Sequence, residues 1–291
     1  MSAATIAMPS VYRSFRANVT PRTVAVWLGL ATLILVGIVG PALWDQDPDA
    51  IGLRDRLAGP ALLGGSWDHP LGTDSLGRDI LARTLAGARI SLAIAAAATL
   101  LAGSVGTVLG LVSGFRGGRW DTIATWLGDV QLATPFVVIA IGLAATFEPS
   151  ATTVILVLGA TGWATYSRVA RLAAQPLRSA GFVESARISG ASGSRIVFRH
   201  ILPVILPTML ALACQQAGSM LLYEAALSYL GLGVPAETIT WGGMVADSRE
   251  TAQVAPWATI VPGTAIVLMV IAFNAAGRVL TRRLVGYGPP V

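Results

Sequence analysis

The sequence of 291 residues contains no lysine, one cysteine and two histidines, and only 12% of its residues are charged. Without lysine the chain cannot form a G-x4-G-K-[ST] loop, in which the lysine contacts the terminal phosphates of ATP. The single cysteine, Cys214, excludes an intrachain disulfide, and neither His69 nor His200 has a neighbouring histidine or cysteine with which to hold zinc. The sequence therefore predicts a chain that has neither its own ATP site nor a metal site.

The charged fraction is about half of the roughly 25% that is typical of a soluble domain. The chain is 54% hydrophobic, with a mean hydropathy of +0.68. So few charges cannot cover the surface of a globule, which favours an integral membrane protein. The net charge of +5 could indicate a nucleic-acid partner, but the arginines are scattered between apolar runs. We therefore attribute them to membrane orientation and expect no nucleic acid.

Long apolar stretches predict the membrane crossings, because a spanning helix needs about 20 mostly apolar residues. The first stretch follows arginines, as a signal peptide would, but it is too long for one and further spans follow, so we interpret it as an uncleaved anchor. The sequence predicts an all-α integral membrane protein with six transmembrane helices, at Thr23–Trp44, Ile90–Phe115, Val130–Phe147, Pro149–Ser167, Leu202–Gly233 and Thr251–Gly277.

Arginine placement predicts that both termini are cytoplasmic, because cytoplasmic loops carry the excess of basic residues. In this orientation fourteen of the twenty arginines are inside, and the six outside are Arg54, Arg56, Arg78, Arg83, Arg89 and Arg249. Residues 1–87 would comprise the N-terminal tail, the first helix and an external loop in which Ser75–Ala88 forms an amphipathic helix at the interface. Residues 88–291 would form a five-helix core with a structured cytoplasmic loop at 171–201.

The cytoplasmic loop contains the sequence Glu184-Ser185-Ala186-x3-Gly190. It resembles the E-A-A-x3-G signature of the membrane subunits of binding-protein-dependent ABC importers. In that family this stretch is a short helix that docks on the ATPase subunit, which requires small residues and a sharp reversal at the glycine. The resemblance implies that Glu184, Ser185, Ala186 and Gly190 couple the chain to an ATPase. Arg195 and Arg199 would meet acidic groups on that ATPase or, alternatively, anionic lipid.

Two further segments carry a more specific resemblance. His69-Pro70-Leu71-Gly72-Thr73-Asp74-x3-Arg78-Asp79 is similar to a D-P-L-G-T-D-x-x-G-R-D run, and Glu224–Val234 with Trp241–Met244 to E-A-S-L-S-F-L-G-L-G-V and W-G-x-M. These runs are typical of the C-type transmembrane subunit of the dipeptide and oligopeptide permease family.

The resemblance implies a type I, MetI-like permease fold in a bacterial cytoplasmic (inner) membrane, in contact with lipid. It implies a heterodimer with a second homologous permease subunit, two ATPase domains at the cytoplasmic face and an extracytoplasmic substrate-binding protein. ATP and magnesium would be bound by the ATPase partners and no cofactor by this chain. The substrate implied is a short peptide, with glutathione or a nickel chelate as alternatives.

Polar residues within the apolar runs are candidates for the translocation path, because an ionisable group in a membrane needs water or a partner. Glu224, Asp129 and Gln131 would line the path or hydrogen-bond neighbouring helices and backbone. Asn274 is a further candidate for the path, although a helix–helix hydrogen bond is favoured for it. The spacing of Gly103, Gly106 and Gly110 favours close packing between helices.

On the external face, Asp74, Arg78, Asp79 and Trp241 are candidates for contact with the binding protein. The charged three would alternatively form a local set of ion pairs. The polar residues do not converge as a membrane-embedded enzyme would require, and the paired buried charges of an ion-driven transporter are not evident. A non-enzymatic permease is therefore the leading hypothesis, with an ion-driven secondary transporter as the alternative.

Overall fold

The computed structural model describes residues 21–144 and 146–285, and in these ranges it forms helices and turns but no β-strand. The all-α class is therefore confirmed for the described residues. The predicted N-terminal tail and the last six residues lie outside them. The α-helices are α1 (Pro21–Leu43), α2 (Ile80–Arg116), α3 (Gly118–Ala133), α4 (Phe136–Ala144), α5 (Ala151–Ala174), α6 (Gly181–Ile188), α7 (Gly193–Ile196), α8 (Leu202–Tyr229), α9 (Trp241–Asp247) and α10 (Trp257–Val285).

Four helical stretches are long and apolar enough to cross a membrane, and a fifth results if α3 and α4 are counted as one bent span. The four are α1, α2, the α7–α8 stretch Gly193–Tyr229, and α10. The sequence predicted six. The predicted span Pro149–Ser167 corresponds to α5, which is not among these stretches and which continues past Ser167 to Ala174. Its second half carries Tyr166, Arg168 and Arg171, so the helix is less apolar than the others.

The predicted span Val130–Phe147 is divided between two helices that meet at an angle of 93°. Thr134 ends α3 with an extended backbone at φ −88° and ψ 127°, which is the conformation favoured before a proline. Pro135 follows and has no N–H with which to continue the helical hydrogen bonds. The bend therefore follows from the Thr134-Pro135 pair.

The predicted interfacial helix at Ser75–Ala88 is not a separate element. Asp79 caps α2, and its side chain accepts a hydrogen bond from the Ala82 N–H at 2.6 Å. From Ile80 the helix continues without interruption for 37 residues. The reason is that no proline or helix-ending loop separates the amphipathic turns from the apolar run, so the expected boundary between residues 87 and 88 lies inside α2.

Helices α2 and α5 pack closely along a series of glycines on α2. A Cβ atom on Gly106 would lie 2.7 Å from the Tyr166 Cβ, and one on Gly114 would lie 3.2 Å from the Ala174 Cβ. Only glycine allows the two backbones to approach this closely, as in other membrane helix pairs. Because the residue numbers of successive contacts increase along both helices, α2 and α5 are parallel.

The other long helices alternate with this pair in direction. Gly40 on α1 contacts Leu85 near the start of α2, so α1 and α2 are antiparallel. Gly277 on α10 contacts Gln215 on α8, while the earlier part of α10 meets the later part of α8. Helices α2, α5 and α10 therefore run one way, and α1 and α8 run the other. The described residues have one large apolar core and a smaller one beneath α6.

Candidate functional site

The loop that carries Glu184 and Ser185 forms the short helix α6, which ends in a reversal at Gly190. The Gly190 N–H donates to the Arg187 carbonyl at 2.9 Å, and the Ala191 N–H donates to the Ala186 carbonyl at 3.0 Å. These two bonds define a Schellman motif, whose C′ residue adopts the left-handed conformation. Gly190 has a φ of +78°, and no atom lies within 4 Å of a Cβ added there. Glycine is therefore required by the backbone conformation and not by space.

One face of α6 is packed against the rest of the chain. Val183 is fully buried, and Ala186 packs beside it on the smaller core, which includes Leu111 of α2 and Ile196 and Ile201 before α8. Apolar burial of this kind fixes a short helix that would not be stable alone. Val183 was not singled out from the sequence, although its three-residue spacing from Ala186 is the signal that would have found it.

The opposite face of α6 is exposed. Glu184 and Ser185 are exposed, and the side chain of Ile188 is 84% exposed. Ile188 is thus a large apolar side chain on an otherwise polar, exposed face. The structure thus brings together the predicted coupling residues Glu184, Ser185 and Gly190 on one accessible surface and adds Ile188 to them.

Arg195 and Arg199 follow α6 and are both exposed. Arg195 lies in α7, whose first turn is capped by Ser192, and Arg199 lies in the π-helical turn Val197–Ile201 that leads into α8. Neither arginine forms an ion pair with an acidic residue in the described part of the chain. Both guanidinium groups are accessible to a partner or to lipid headgroups.

Glu224 is completely buried, with an exposed fraction of 0%. Its Oε1 accepts a hydrogen bond from the Ser228 hydroxyl at 3.0 Å, whereas Oε2 has no hydrogen-bond partner in the described residues. The hydroxyls of Ser91 and Thr240 lie beside the carboxyl group. The side chain is therefore enclosed between α2, α8 and the start of α9 and does not reach a surface of this chain.

Trp241 is also buried and joins the same region. Its backbone N–H donates to the Ser91 hydroxyl at 3.1 Å, and its indole N–H donates to the Thr84 carbonyl at 2.7 Å. The expectation that Trp241 is an external contact is therefore not met, because both of its N–H groups are directed into α2. Its position ties the first part of α2 to the start of α9.

The charged residues of the external loop form a local set of contacts. Asp74 accepts from the Arg78 Nε at 2.6 Å and from the Arg78 backbone N–H at 3.0 Å. Asp79, which is buried, caps α2 and lies 2.9 Å from the His69 Nδ1. Of the three candidates for external contact, Asp79 is thus inaccessible and Asp74 and Arg78 are mostly covered by each other.

Arg83 is a buried cation that was not recognised from the sequence. Its guanidinium lies 3.1 Å from an Asp49 oxygen, 3.8 Å from Asp74 and 4.0 Å from Asp247. A buried arginine needs such partners because an uncompensated charge is costly. The abundance of aspartates in the loop was the available signal, but their convergence on one arginine depends on the fold.

The polar residues of α3 are bound to α5. Asp129 forms an ion pair with Arg168, and the Gln131 amide donates to the carbonyls of Ala160 and Thr161. Both side chains remain partly exposed, so the structure does not exclude them from a solute path.

Two further polar contacts concern α3 and α10. Asp121 and Arg171 form a second ion pair between α3 and α5, with one hydrogen bond of 2.7 Å, and this pair was missed in the sequence. Asn274 donates to the Val270 carbonyl of its own helix at 2.9 Å and lies against Gly218 of α8. Asn274 is therefore a contact within the α8–α10 pair.

Comparison with known proteins identifies relatives over most of the chain. Residues 106–286 match a family described as "Binding-protein-dependent transport system inner membrane component". The chain is 36% identical to the dipeptide transport system permease protein DppC of Alkalihalophilus pseudofirmus, with 85% of this chain and 80% of that protein covered. It is 35% identical to the nickel transport system permease protein NikC of Escherichia coli, covering 88% and 90% respectively.

A third relative is the oligopeptide transport system permease protein OppC of Bacillus subtilis, at 35% identity over 85% of this chain and 80% of that protein. Among solved structures, inward-facing forms of the MetNI methionine ABC transporter are similar with TM-scores of 0.51 and 0.53, at 18% and 20% identity. They cover 68% and 70% of this chain and 94% and 96% of the matched chain. This likeness establishes the fold, which agrees with the MetI-like fold expected from the sequence.

Proposed function

Because this chain belongs to the family of inner membrane components of binding-protein-dependent transport systems, we propose that it forms half of the translocation path for short peptides in an ATP-driven importer. The chain is a permease subunit and not the ATPase, in agreement with its lack of any lysine for a phosphate-binding loop. The observation that carries the proposal is α6, a short helix anchored by Val183 whose outer face is left free.

Helix direction supports six crossings with both termini on one side of the membrane, and the arginine distribution favours the cytoplasmic face as that side. Since α2 and α5 are parallel, the chain between them must return across the same depth, and only the bent pair α3–α4 is available to do so. Adding α5 to α1, α2, α3–α4, α8 and α10 makes six alternating crossings. The ends of α2 and α5 and the start of α8 then lie on one side, together with α6.

We propose that α6 transmits the movement of an ATPase subunit to the membrane helices. Its buried face packs into the apolar cluster that also contains Leu111 of α2 and Ile201 at the entry to α8, so a displacement of α6 would disturb the packing of two long helices. Its free face offers Glu184, Ser185 and Ile188 to the partner, and Arg195 and Arg199 extend this surface with positive charge. Acidic groups on the ATPase would complement them.

The complete transporter would contain a second homologous permease subunit, two ATPase domains that bind ATP and magnesium, and an extracytoplasmic binding protein. The translocation path would lie between the two permeases in a bacterial cytoplasmic membrane. Asp129 and Gln131 are partly exposed and remain candidates for that path. Glu224 and Asn274 are better assigned to the packing of the chain, because each forms a hydrogen bond within its own helix and Glu224 is completely buried.

The peptide assignment is supported by the names of two relatives, a dipeptide permease and an oligopeptide permease. A nickel chelate is the second candidate, because a nickel permease is equally similar and is covered over 90% of its length. The described residues contain no group of three metal-binding side chains, so such a cargo would have to pass as a complex whose ligands come from elsewhere.

Purification and reconstitution would test the proposal. The chain is expected to co-purify from its native membrane with a second permease and two ATPase subunits. In proteoliposomes with ATP in the compartment that faces α6, the complex and its binding protein should accumulate labelled dipeptides or tripeptides. Labelled glutathione and a labelled nickel chelate are tested in the same way as the alternative substrates. Uptake by this chain alone would contradict the importer assignment, and uptake of the nickel chelate only would contradict the peptide assignment.

A further inference from the structure

The loop between α1 and α2 exposes several large apolar side chains, and the three most exposed of them are close together in the sequence. Leu62, Leu63 and Trp67 are 86%, 76% and 73% exposed, and we call these three residues the apolar tip. They lie within six residues of one another, at the turn Ala61–Leu63 and just after it. Leaving them in water forgoes the free energy that burial of such side chains provides.

The apolar tip is held in this exposed position by backbone hydrogen bonds. The Gly65 N–H donates to the Pro60 carbonyl at 3.1 Å, and the Ala61 N–H donates to the Pro70 carbonyl at 3.1 Å. Gly64 has a φ of +95°, and the place of a Cβ on Gly65 is occupied by the Gly59 carbonyl. The turn that exposes the tip is therefore a defined structure that requires glycine at both positions.

The tip is attached to the outer end of α1. The Gln46 amide, three residues after α1 ends at Leu43, donates to the Asp68 carbonyl beside Trp67 at 2.7 Å. Helix α1 is the least enclosed of the candidate spans, with 11% of its apolar window buried inside the chain. Leu43 at its end is 79% exposed. The hydrogen bond from Gln46 therefore holds the segment next to Trp67 close to the end of a helix whose apolar side chains are exposed.

We propose that the apolar tip inserts into the outer leaflet of the membrane, at the boundary between headgroups and acyl chains. Tryptophan is enriched at this depth because its ring is amphipathic, and the two leucines would extend into the apolar side. The charges next to the tip are acidic, with Asp45 and Asp47 after α1 and Asp68 after Trp67. The attraction is therefore apolar and does not require anionic lipid.

This occupant fits the position of the tip better than a protein partner does. The binding protein would have to dock over the path between the two permeases, whereas the tip is joined to α1, the span that is most exposed to its surroundings. The proposal depends only on the chain spanning a membrane and holds for any solute. Its failure would leave the importer assignment intact.

A fluorescent label on residue 63 would test the contact with lipid. Leu63→Cys is introduced on a Cys214→Ser background, in a transporter whose other chains have no reactive cysteine, and the complex is reconstituted in phosphatidylcholine vesicles with or without brominated acyl chains. Bromine should quench the label by about half, because the depth proposed is about 5–10 Å into the boundary region. Quenching should be unchanged when anionic phosphatidylglycerol is added.

Two control positions calibrate the measurement. Leu35→Cys on the exposed side of α1 should be quenched, and Glu237→Cys in the exposed loop before α9 should not. Quenching of residue 63 at the level of residue 237 would overturn the proposal. A label that bromine does not quench, but whose fluorescence changes when the binding protein is added, would assign the tip to protein docking instead.

Discussion

Gly190 allows a graded test of whether the reversal after α6 couples ATP hydrolysis to transport. Its φ of +78° lies in the left-handed region, and a Cβ there would meet nothing within 4 Å. A substitution would therefore act through backbone conformation alone. The left-handed region costs an ordinary residue about 1–2 kcal/mol, whereas asparagine tolerates it better and glycine is unstrained. Valine should be worst because its β-branched side chain restricts the backbone further.

This energetic cost predicts how well variants at position 190 couple ATP hydrolysis to uptake, relative to one another. A penalty of about 1–2 kcal/mol changes the population of the intact Schellman motif by a factor of about 5–30. Peptide uptake per ATP hydrolysed should therefore fall in the order glycine, asparagine, alanine, valine at position 190. Hydrolysis itself should continue, because in the proposed importer the ATP sites are on other chains.

The assay measures labelled peptide and released phosphate in the same proteoliposomes, after the amount of subunit in the membrane has been equalised. Gly231→Val is the matched control, because Gly231 has a φ of +77° and also has no atom within 4 Å of an added Cβ, but lies in the loop between α8 and α9. It should lower the amount of folded subunit without changing uptake per ATP. Equal ratios for glycine and valine at position 190 would refute the reasoning, as would an asparagine variant that couples less well than alanine.

Three further pairs of variants test contacts within and between the long helices. Gly106→Leu should separate α2 from α5 and greatly reduce the amount of subunit recovered in the membrane. Gly29→Leu is the control and should be tolerated, because an added Cβ there meets nothing in the described residues. Equal recovery of the two variants would contradict the close packing of α2 and α5. Glu224→Gln should preserve uptake, because glutamine can still accept the Ser228 hydrogen bond, whereas Glu224→Leu cannot and should lower subunit recovery. A glutamine variant that assembles but does not transport would place the carboxylate in the path. Asp121→Arg and Arg171→Asp should each reduce thermal stability by about 1 kcal/mol or more and should partly compensate each other when combined, and additive losses in the double variant would show that the pair does not interact.

The sequence anticipated those features that depend on local pattern. Apolar runs predicted the long helices, and Gly190 was expected to permit a sharp reversal. The spacing of Gly106 and Gly110 predicted close helix packing, which the α2–α5 contact confirms. Each of these depends on one residue type at a known spacing, so no knowledge of the remaining fold was needed.

The features that were missed depend on continuity or on distant partners. Apolar content cannot distinguish a straight span from one that turns by 93°, although the Thr134-Pro135 pair was a local sign of the turn. It also gave no reason to join the segment after Asp79 to the following span. The burial of Arg83 required Asp49 and Asp247 to converge from separate parts of the chain. Trp241 was assigned to the surface because nothing in its neighbourhood reveals the contact with Ser91.

The uninterrupted length of α2 has a mechanical consequence. At 1.5 Å per residue its 37 residues extend about 55 Å, well beyond the roughly 30 Å of the hydrocarbon core. Leu111 is seated beneath α6 at one extremity, and Ser91 binds Trp241 towards the other. A helix of this length can transmit a tilt from one end to the other, because its backbone hydrogen bonds are continuous. In the proposed importer, a displacement beneath α6 would therefore reach the region of Trp241 through a single element of secondary structure.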